Sequence, residues 1–320
     1  FYAVFQQGII NRFEFVNSRS LGSTGNDFGY AAEIRNDNFV LAGSFEGTVD
    51  FDPNNSVTQS LTSNGLSDGF IVEYPVLNTG NLRFYNQVGG TGADAIRTLS
   101  IPSNDVVYFG GTFTAVTDFD FSTNSTNLTP AAKDGFIVKY NVSTPSSTPV
   151  YTFAWADKFG GSFDDDIVDI FAYSSSSDVY FAAGIGNTQG GYAPFLGSYS
   201  QNGVRNNAFG GLLVPTNNSG FAYSSAIASN SLGNIFMGGS FSSTNLDVDP
   251  SASTNLLTGG ANTFNNSFLL KFANCISATA PVISQVTNGD GSITLTVNGI
   301  LNGNSTWTWY SGSCGGTLAG

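Results

Sequence analysis

Acidic residues recur along the chain as pairs separated by a single residue. The three pairs are Asp50 and Asp52, Asp118 and Asp120, and Asp247 and Asp249, in the phrases TVDFDP, TDFDF and LDVDP. Carboxylates at i and i+2 of an extended segment point the same way, and calcium takes several closely spaced oxygen ligands of this kind. The pairs are therefore candidate calcium ligands. Alternatively, each Asp accepts hydrogen bonds from backbone N–H groups and shapes its loop, a role that the recurrence favours.

A second group of carboxylates follows a glycine that recurs along the chain, and it comprises Asp27, Asp94, Asp164, Asp165 and Asp166, with Asn26 beside them. The same two roles are open to these residues. A glycosidase needs two carboxyl groups with different environments that face one sugar. Each acidic position in this chain has a counterpart in another repeat, so no pair stands out. We therefore expect that the protein is not an enzyme.

The chain contains no histidine. This excludes Ser-His-Asp and Cys-His nucleophilic sites, histidine-ligated zinc and the usual proton shuttle near neutral pH. The two cysteines, Cys275 and Cys314, both lie near the C-terminal end. They are a candidate disulfide of an exported module. Cys314 could equally pair with a cysteine outside this sequence, and two unrelated buried thiols are the further alternative.

The composition bears on partners and location. The formal net charge is −13, whereas nucleic acids and anionic membranes are recognised through basic patches, so neither is an expected partner. The sequence has no apolar run of about 18 residues, the length that a membrane span requires. Charged residues make up only 10% of the chain, and Asn, Ser, Thr and Gly supply the polarity instead. Such surfaces are common on exported β-proteins, which favours an extracellular location.

Whole phrases recur as well as single residues. SDGFIVEY at 67–74 returns as KDGFIVKY at 133–140 and, more loosely, as YAPFLGSY and NNSFLLKF. Each repeat has four short runs rich in Phe, Val, Ile and Tyr, bounded by Gly, Asn, Asp, Ser and Pro, which is the composition of strands and turns. Four strands that repeat every 60 residues or so predict an all-β fold, a β-propeller of four-stranded blades.

This pattern makes three structural predictions. The first strands of the repeats should line a central axis. The paired glycines after the second strand should lie where neighbouring sheets approach closely. Equivalent blade positions are predicted for Phe70, Phe136, Phe195 and Phe268.

The phrases GGTGADAIRTLS, NDVVYFGGTF, TDFD and KDGFIVKYN resemble the SBBP-type bacterial β-propeller repeat of secreted and surface proteins. The resemblance covers residues 1–273, is specific in two repeats and weakens in the third and fourth. The third repeat lacks the insertion that carries the Asp-x-Asp phrase. The resemblance implies a propeller over 1–273 with four units and a partial one.

After FANCISATAP the aromatic and glycine phrases stop, and alternating strands flank an NGDG turn. Residues 274–320 resemble the opening half of the immunoglobulin-like β-sandwich modules that follow propellers in large bacterial surface proteins. So short a segment cannot bury a sandwich core alone. We expect this module to be truncated and the chain to belong to a longer polypeptide.

The function predicted on this basis is that of a non-enzymatic secreted or cell-surface protein with a structural or adhesive role. The alternative is a carbohydrate-binding, lectin-like propeller. The resemblance also implies export by the type IX secretion pathway of gliding bacteria. The expected partners are other surface or secretion-system proteins, or surface glycans, and calcium is the one possible cofactor.

Overall fold

The computed structural model describes residues 2–7, 13–52, 57–76, 82–146, 148–174, 177–186, 191–206, 211–212, 214–215, 221–230, 233–242, 245–250, 254–259 and 266–272, and the strands at 282–287, 293–298, 310–311 and 317–318. All regular elements in these ranges are β-strands. No helix in these ranges is long and apolar enough to cross a membrane. The prediction of an all-β chain is confirmed.

Four antiparallel sheets, named I to IV, follow a first hairpin of β1 (Tyr2–Gln7) and β2 (Phe13–Arg19). Sheet I has β3 (Phe28–Arg35), β4 (Asn38–Phe45), β7 (Asp68–Pro75) and β8 (Phe84–Val88), with β5 (Thr48–Asp50) and β6 (Ser60–Thr62) as an inserted hairpin. Sheet II has β9 (Ala95–Ser103), β10 (Val106–Phe113), β13 (Asp134–Ser143) and β14 (Val150–Phe159), with β11 (Thr117–Asp118) and β12 (Asn127–Leu128) inserted.

Sheets III and IV depart from this plan. Sheet III has β15 (Asp165–Ala172), β16 (Val179–Gly186), β17 (Tyr192–Tyr199) and the short β18 (Gly211–Leu212). Sheet IV has β20 (Ala222–Ser229), β21 (Ile235–Phe241) and β24 (Asn266–Phe272), and its insertion β22 (Asn245–Asp247) and β23 (Leu256–Thr258) pairs with β19 (Val214–Pro215). The remaining strands are two hairpins, β25 (Val282–Thr287) with β26 (Ile293–Asn298) and β27 (Tyr310–Ser311) with β28 (Thr317–Leu318).

Two central strands, β7 of sheet I and β10 of sheet II, are buried on both faces. All eight residues of β7 and all eight of β10 are buried. A strand of this kind is stable only where both faces of its sheet are covered. Sheets I and III cover the two faces of β10, whereas sheet II and the inserted hairpin cover those of β7.

Three of the four hydrophobic cores therefore lie between consecutive sheets, and the fourth packs sheet I against its own inserted hairpin. The three join sheet I to II, II to III and III to IV, with residues such as Val40 and Ile96, Ile137 and Ile167, and Leu196 and Ile227 in a shared core. The first strands β3, β9, β15 and β20 contact one another in that order, whereas the fourth strands make few contacts with the next sheet. The sheets thus converge at their first strands, as blades around an axis do.

Every first strand is interrupted by a β-bulge at the same place. The bulges lie between Gly29 and Ala31, Ile96 and Thr98, Ile167 and Asp169, and Ser224 and Ala226. A bulge adds one unpaired residue and bends the strand. In sheets I and II the extra residues are Tyr30 and Arg97, and both side chains are exposed.

The bulge explains why three of the second strands have a glycine at the position opposite it. At Gly43, Gly111 and Gly239 a Cβ would lie 1.8, 1.9 and 2.1 Å from a carbonyl oxygen of the first strand in the same sheet. The predicted close approach between sheets applies to the other glycine of the pair in sheet II, since a Cβ at Gly110 would lie 3.1 Å from Ile167 Cγ2.

The predicted equivalence of the four phenylalanines is confirmed by the strand register. They pair with the second-strand residue opposite the bulge, Phe70 with Gly43, Phe136 with Gly111, Phe195 with Ala183 and Phe268 with Gly239. The repeats are therefore equivalent in three dimensions as well as in sequence.

The C-terminal segment forms the predicted hairpin. Thr287 pairs with Ile293 where β25 and β26 meet, and the NGDG turn between them lies outside the described residues. The boundary at 273/274 and the immunoglobulin-like module stay predictions.

We predict that Gly111→Ala lowers the free energy of unfolding by 2 kcal/mol or more, because the added methyl group meets the carbonyl oxygen of Ala95; overpacking typically costs about 1–3 kcal/mol. The control is Gly161→Ala, since nothing lies within 4 Å of a Cβ there. Urea denaturation of both variants measures the difference, and equal stabilities would contradict this account of the bulge.

Candidate functional site

The carboxylates after the opening glycines organise the turns in which they lie. In each of sheets I to III one Asp accepts a hydrogen bond from the N–H four residues earlier and another from an N–H at or directly after the end of the second strand. The bonds run from Ser23 and Glu46 to Asp27 (2.6 and 3.3 Å), from Gly90 and Thr114 to Asp94 (2.7 and 3.0 Å), and from Gly161 and Gly186 to Asp165 (2.6 and 2.8 Å).

The Asp-x-Asp pairs have an equally regular geometry. Oδ1 of the first Asp accepts hydrogen bonds from the N–H of the second Asp and from an N–H across the hairpin. The donors are Asp52 and Gln59 for Asp50, Asp120 and Thr126 for Asp118, and Asp249 and Asn255 for Asp247, at 2.8–3.1 Å. The pairs therefore shape their loops, which is one of the two roles expected from the sequence.

A buried tyrosine holds two of these loops against their sheets. The hydroxyl of Tyr74 donates to the carbonyl oxygen of Phe51, and that of Tyr140 to the carbonyl oxygen of Phe119, each at 2.5 Å. Tyr199 is the corresponding residue of sheet III, which has no insertion to hold.

We predict that Tyr140→Phe lowers stability by about 1–3 kcal/mol, the cost of a buried carbonyl group that loses its hydrogen-bond partner. Tyr199→Phe, the matched control, should cost less, because no inserted loop depends on its hydroxyl. Thermal unfolding of both variants tests this, and a larger loss for the Tyr199 variant would refute it.

Among the described residues, no group of three or more acidic, His or Cys side chains is placed to hold a metal ion. Calcium binding at the Asp pairs thus stays a prediction from sequence. Cys275 and Cys314 lie outside the described residues, so the disulfide stays a prediction too.

We predict that Asp50→Asn with Asp52→Asn lowers the melting temperature equally in calcium and in chelator, because the first carboxylate bonds to the backbone. Differential scanning calorimetry measures both values. A rise of several degrees in the wild-type melting temperature on addition of millimolar calcium, absent from the variant, would show that the pair binds calcium after all.

A different group of polar and aromatic side chains lies where the first strands bulge. We call it the inner-strand belt, and it comprises Tyr30, Arg97, Lys133, Asp166, Tyr192 and Tyr223. The guanidinium of Arg97 lies 4.8 Å from the ring centroid of Tyr30. Lys133 Nζ lies 5.6 Å from the ring centroid of Tyr192 and donates to its hydroxyl at 3.3 Å. The rings of Tyr192 and Tyr223 lie 5.3 Å apart.

Asp166 is the carboxylate of this belt. It is half-buried, and its Oδ1 accepts a hydrogen bond from the N–H of Gly184 at 3.1 Å. Burial raises the pKa of Asp166, the nearby charges of Lys133 and Arg97 oppose the rise, and the charge of Asp164 adds to it. A raised pKa at a surface with cations and aromatic rings marks a candidate acid–base group.

Asp164 provides a second carboxylate in a different environment. Its side chain is exposed, and its Oδ1 accepts a hydrogen bond from the N–H of Lys133 at 3.4 Å. Two carboxyl groups near each other, one half-buried and one in solvent, have the opposed environments that acid–base pairs use.

Asp169 connects the strands that carry the belt. Its Oδ1 accepts bonds from the Thr98 hydroxyl at 2.8 Å and from its neighbour Ile170 N–H at 2.9 Å, and its Oδ2 accepts one from Ile227 N–H at 2.9 Å. Strands β9, β15 and β20 are thereby joined beside the belt. Burial raises the pKa of Asp169, and burial followed by the charge of Asp169 raises that of Glu33 on β3.

Sequence reasoning missed this belt, and its argument against a carboxyl pair was wrong. The register places Asp166 where the other repeats have Phe28, Ala95 and Tyr223. Asp166 therefore has no acidic counterpart. The run of three acidic residues at 164–166 indicated an acidic residue beyond those of the other repeats. The sequence alone does not show which of the three has no counterpart, because the bulge changes the alignment of the first strands.

No family model and no curated protein matches this chain. Among solved structures, the chain is similar to a GH43 endo-arabinanase from Bacillus licheniformis, with a TM-score of 0.34 and 9% identity, over 82% of this chain and 74% of the other. A likeness at this level carries no argument about the site or substrate of this chain.

Two expectations from the sequence do not stand, because both assumed that every acidic position has a counterpart, and Asp166 has none; the similar solved structure is itself an enzyme. The non-enzymatic structural or adhesive role, with the lectin-like alternative, is corrected, and so is the expectation that the protein is not an enzyme. The physical reason is that a repeat pattern defines a scaffold, and a scaffold does not exclude chemistry at a site built on it.

Proposed function

We propose that the inner-strand belt is an acid–base site that cleaves glycosidic bonds of a polysaccharide. The observation that carries the proposal is Asp166, a half-buried carboxyl group beside Arg97, Lys133 and two tyrosine rings. Hydrolysis of a glycosidic bond requires one carboxyl group that is protonated and a second that is ionised. Asp166 and Asp164 have the environments for these two roles.

In this proposal Asp166 donates its proton to the oxygen of the leaving sugar. Asp164, which is exposed to solvent, takes a proton from the water molecule that attacks the anomeric carbon, as the bond from that carbon to the leaving oxygen breaks. Tyr30, Tyr192 and Tyr223 offer flat apolar faces for sugar rings, while Arg97 and Lys133 donate hydrogen bonds to hydroxyl groups. The belt crosses four consecutive first strands, which suits an extended chain of sugars better than a small molecule.

We also propose that sheets I to IV are blades of an SBBP-type propeller over residues 1–273 and that residues 274–320 open an immunoglobulin-like module. The convergence of the first strands supports the former. An extracellular, cell-surface location, with export by the type IX pathway and contacts to surface or secretion-system proteins, belongs to the same proposal. Such a location would give the belt access to polysaccharides.

We predict that Asp166→Asn lowers hydrolysis of a polysaccharide by about 100-fold or more, the usual contribution of a general acid. Asn keeps the size of Asp and an acceptor for the N–H of Gly184, so the fold should persist by circular dichroism. Release of reducing ends from a panel of polysaccharides is the measurement. Activity should also fall on the alkaline side, as Asp166 loses its proton, with the raised pKa moving this limb upward.

The matched control is Asp37→Asn, in an exposed turn at φ 57°, a conformation that Asn tolerates well. It should keep full activity. If no polysaccharide is cleaved by the wild type, or if the Asp166 variant keeps its rate, the proposed activity is refuted.

A further inference from the structure

Two pairs of buried carboxylates lie at the junctions between sheets. Asp68 and Asp94 meet between sheets I and II, and Asp134 and Asp165 meet between sheets II and III; their exposures are 0, 0, 0 and 2%. Backbone hydrogen bonds cross each junction beside the pair. Asp94 N–H donates to Ser67 O at 2.8 Å, and Asp165 N–H donates to Lys133 O at 2.6 Å. The two junctions are therefore equivalent in backbone.

They differ in one side chain from the fourth strand. Lys158 lies opposite Phe136, and its Nζ is 2.8 Å from Asp134 Oδ2. Gln87 lies opposite Phe70, and its Nε2 donates to Asp68 Oδ2 at 2.9 Å. A cation thus compensates the pair at junction II–III, whereas a neutral amide takes its place at junction I–II.

Asp68 has little else to stabilise a negative charge. Its Oδ2 also accepts a bond from the N–H of Asn64 at 3.1 Å, and the Gly65 N–H acts on the carboxylate as well. Oδ1 is buried without a hydrogen-bond partner. The charged group that faces Asp68 is Asp94, and it carries the same sign.

The carboxylate of Asp68 occupies the space that a side chain at Gly89 would fill. A Cβ on Gly89 would lie 2.3 Å from its Oδ1 and 2.4 Å from its Oδ2. A buried charge without a counter-ion is strongly disfavoured, and such groups become neutral instead.

We propose that junction I–II is a pH-sensitive joint, which is tight when Asp68 carries a proton and weaker when that proton leaves, while Lys158 compensates the carboxylate at the equivalent place in junction II–III.

The electrostatics of the pair support the proposal. Burial first, and then the charge of Asp94, raise the pKa of Asp68 from 3.8 to about 6. The folded protein therefore binds the proton more tightly than the unfolded chain does. The resulting stability is fully present below the ordinary pKa and is lost as the pH rises through about 6.

Other buried carboxylates with raised pKa values, including Asp94, Asp165 and Asp169, also contribute to the pH dependence of the wild type. A reciprocal exchange isolates the joint from them. Gln87→Lys supplies the missing cation at junction I–II, and Lys158→Gln removes it from junction II–III.

The experiment measures melting temperatures at pH 4.5 and 7.0 and amide hydrogen exchange of Asp94 and Asp165 across this range. In the wild type, the protection factor of the Asp94 amide, which is corrected for the intrinsic exchange rate, should fall as the pH rises toward 6. The fall should be up to about tenfold per pH unit, and above pH 6 the protection factor should level off. The Asp165 amide should change less. Gln87→Lys should remove the fall at Asp94, and Lys158→Gln should produce one at Asp165.

Asp68→Asn is the second variant, since it keeps the shape and cannot titrate. It should melt several degrees above the wild type at pH 7.0 and differ little from it at pH 4.5. The proposal is overturned if the Asp94 amide shows no pH-dependent loss of protection in the wild type, or if Gln87→Lys and Asp68→Asn both leave that loss unchanged.

Discussion

The packing of successive sheets face to face governs the position of every other feature of this fold. Strands such as β7 and β10 are buried on both faces, so their sheets need cover on both sides, from a neighbouring sheet or from an inserted hairpin. The first strand of every sheet must then fit against the preceding sheet and still pair with its own second strand. The recurrent bulge meets both demands, and it also directs Tyr30 and Arg97 to the surface that carries the inner-strand belt.

Hydrogen bonds from backbone N–H groups fix the position of most of the carboxylates described above. Asp27, Asp94 and Asp165 each join the turn before a first strand to the loop after the second strand. Such bonds satisfy donors that would otherwise be buried and unpaired, at the cost of bringing negative charge into the junctions. The chain has few cations with which to offset that charge. The position of each cation therefore has a larger effect on the buried carboxylates than in a protein of ordinary charge density. Lys158 supplies a cation at one junction, and Gln87 replaces it with a neutral amide at the other.

The features with functional meaning are departures from the repeat. Asp166 stands where other repeats have Phe28, Ala95 and Tyr223, and Gln87 stands where the next repeat has Lys158. The third repeat has no insertion, and Tyr199 has no loop to hold. Equivalent positions define the scaffold, and the side-chain differences between them change local properties of one repeat. A site can in this way be built on one or two repeats of an otherwise regular array.

The all-β class, the strands and the equivalence of Phe70, Phe136, Phe195 and Phe268 could be predicted from the sequence alone, and for the Asp pairs the sequence offered loop shaping beside calcium binding. These follow from local composition and from recurrence, which can be read along the chain. Which carboxylates lack a counterpart, and which cations lie near them, became clear from contacts between strands that are distant in the chain. Arg97, Lys133 and Tyr192 come from three separate strands or loops, and a one-residue bulge changes which side chains share a surface. The belt and the unequal junctions therefore depend on contacts between sheets, for which the linear pattern contains no direct signal.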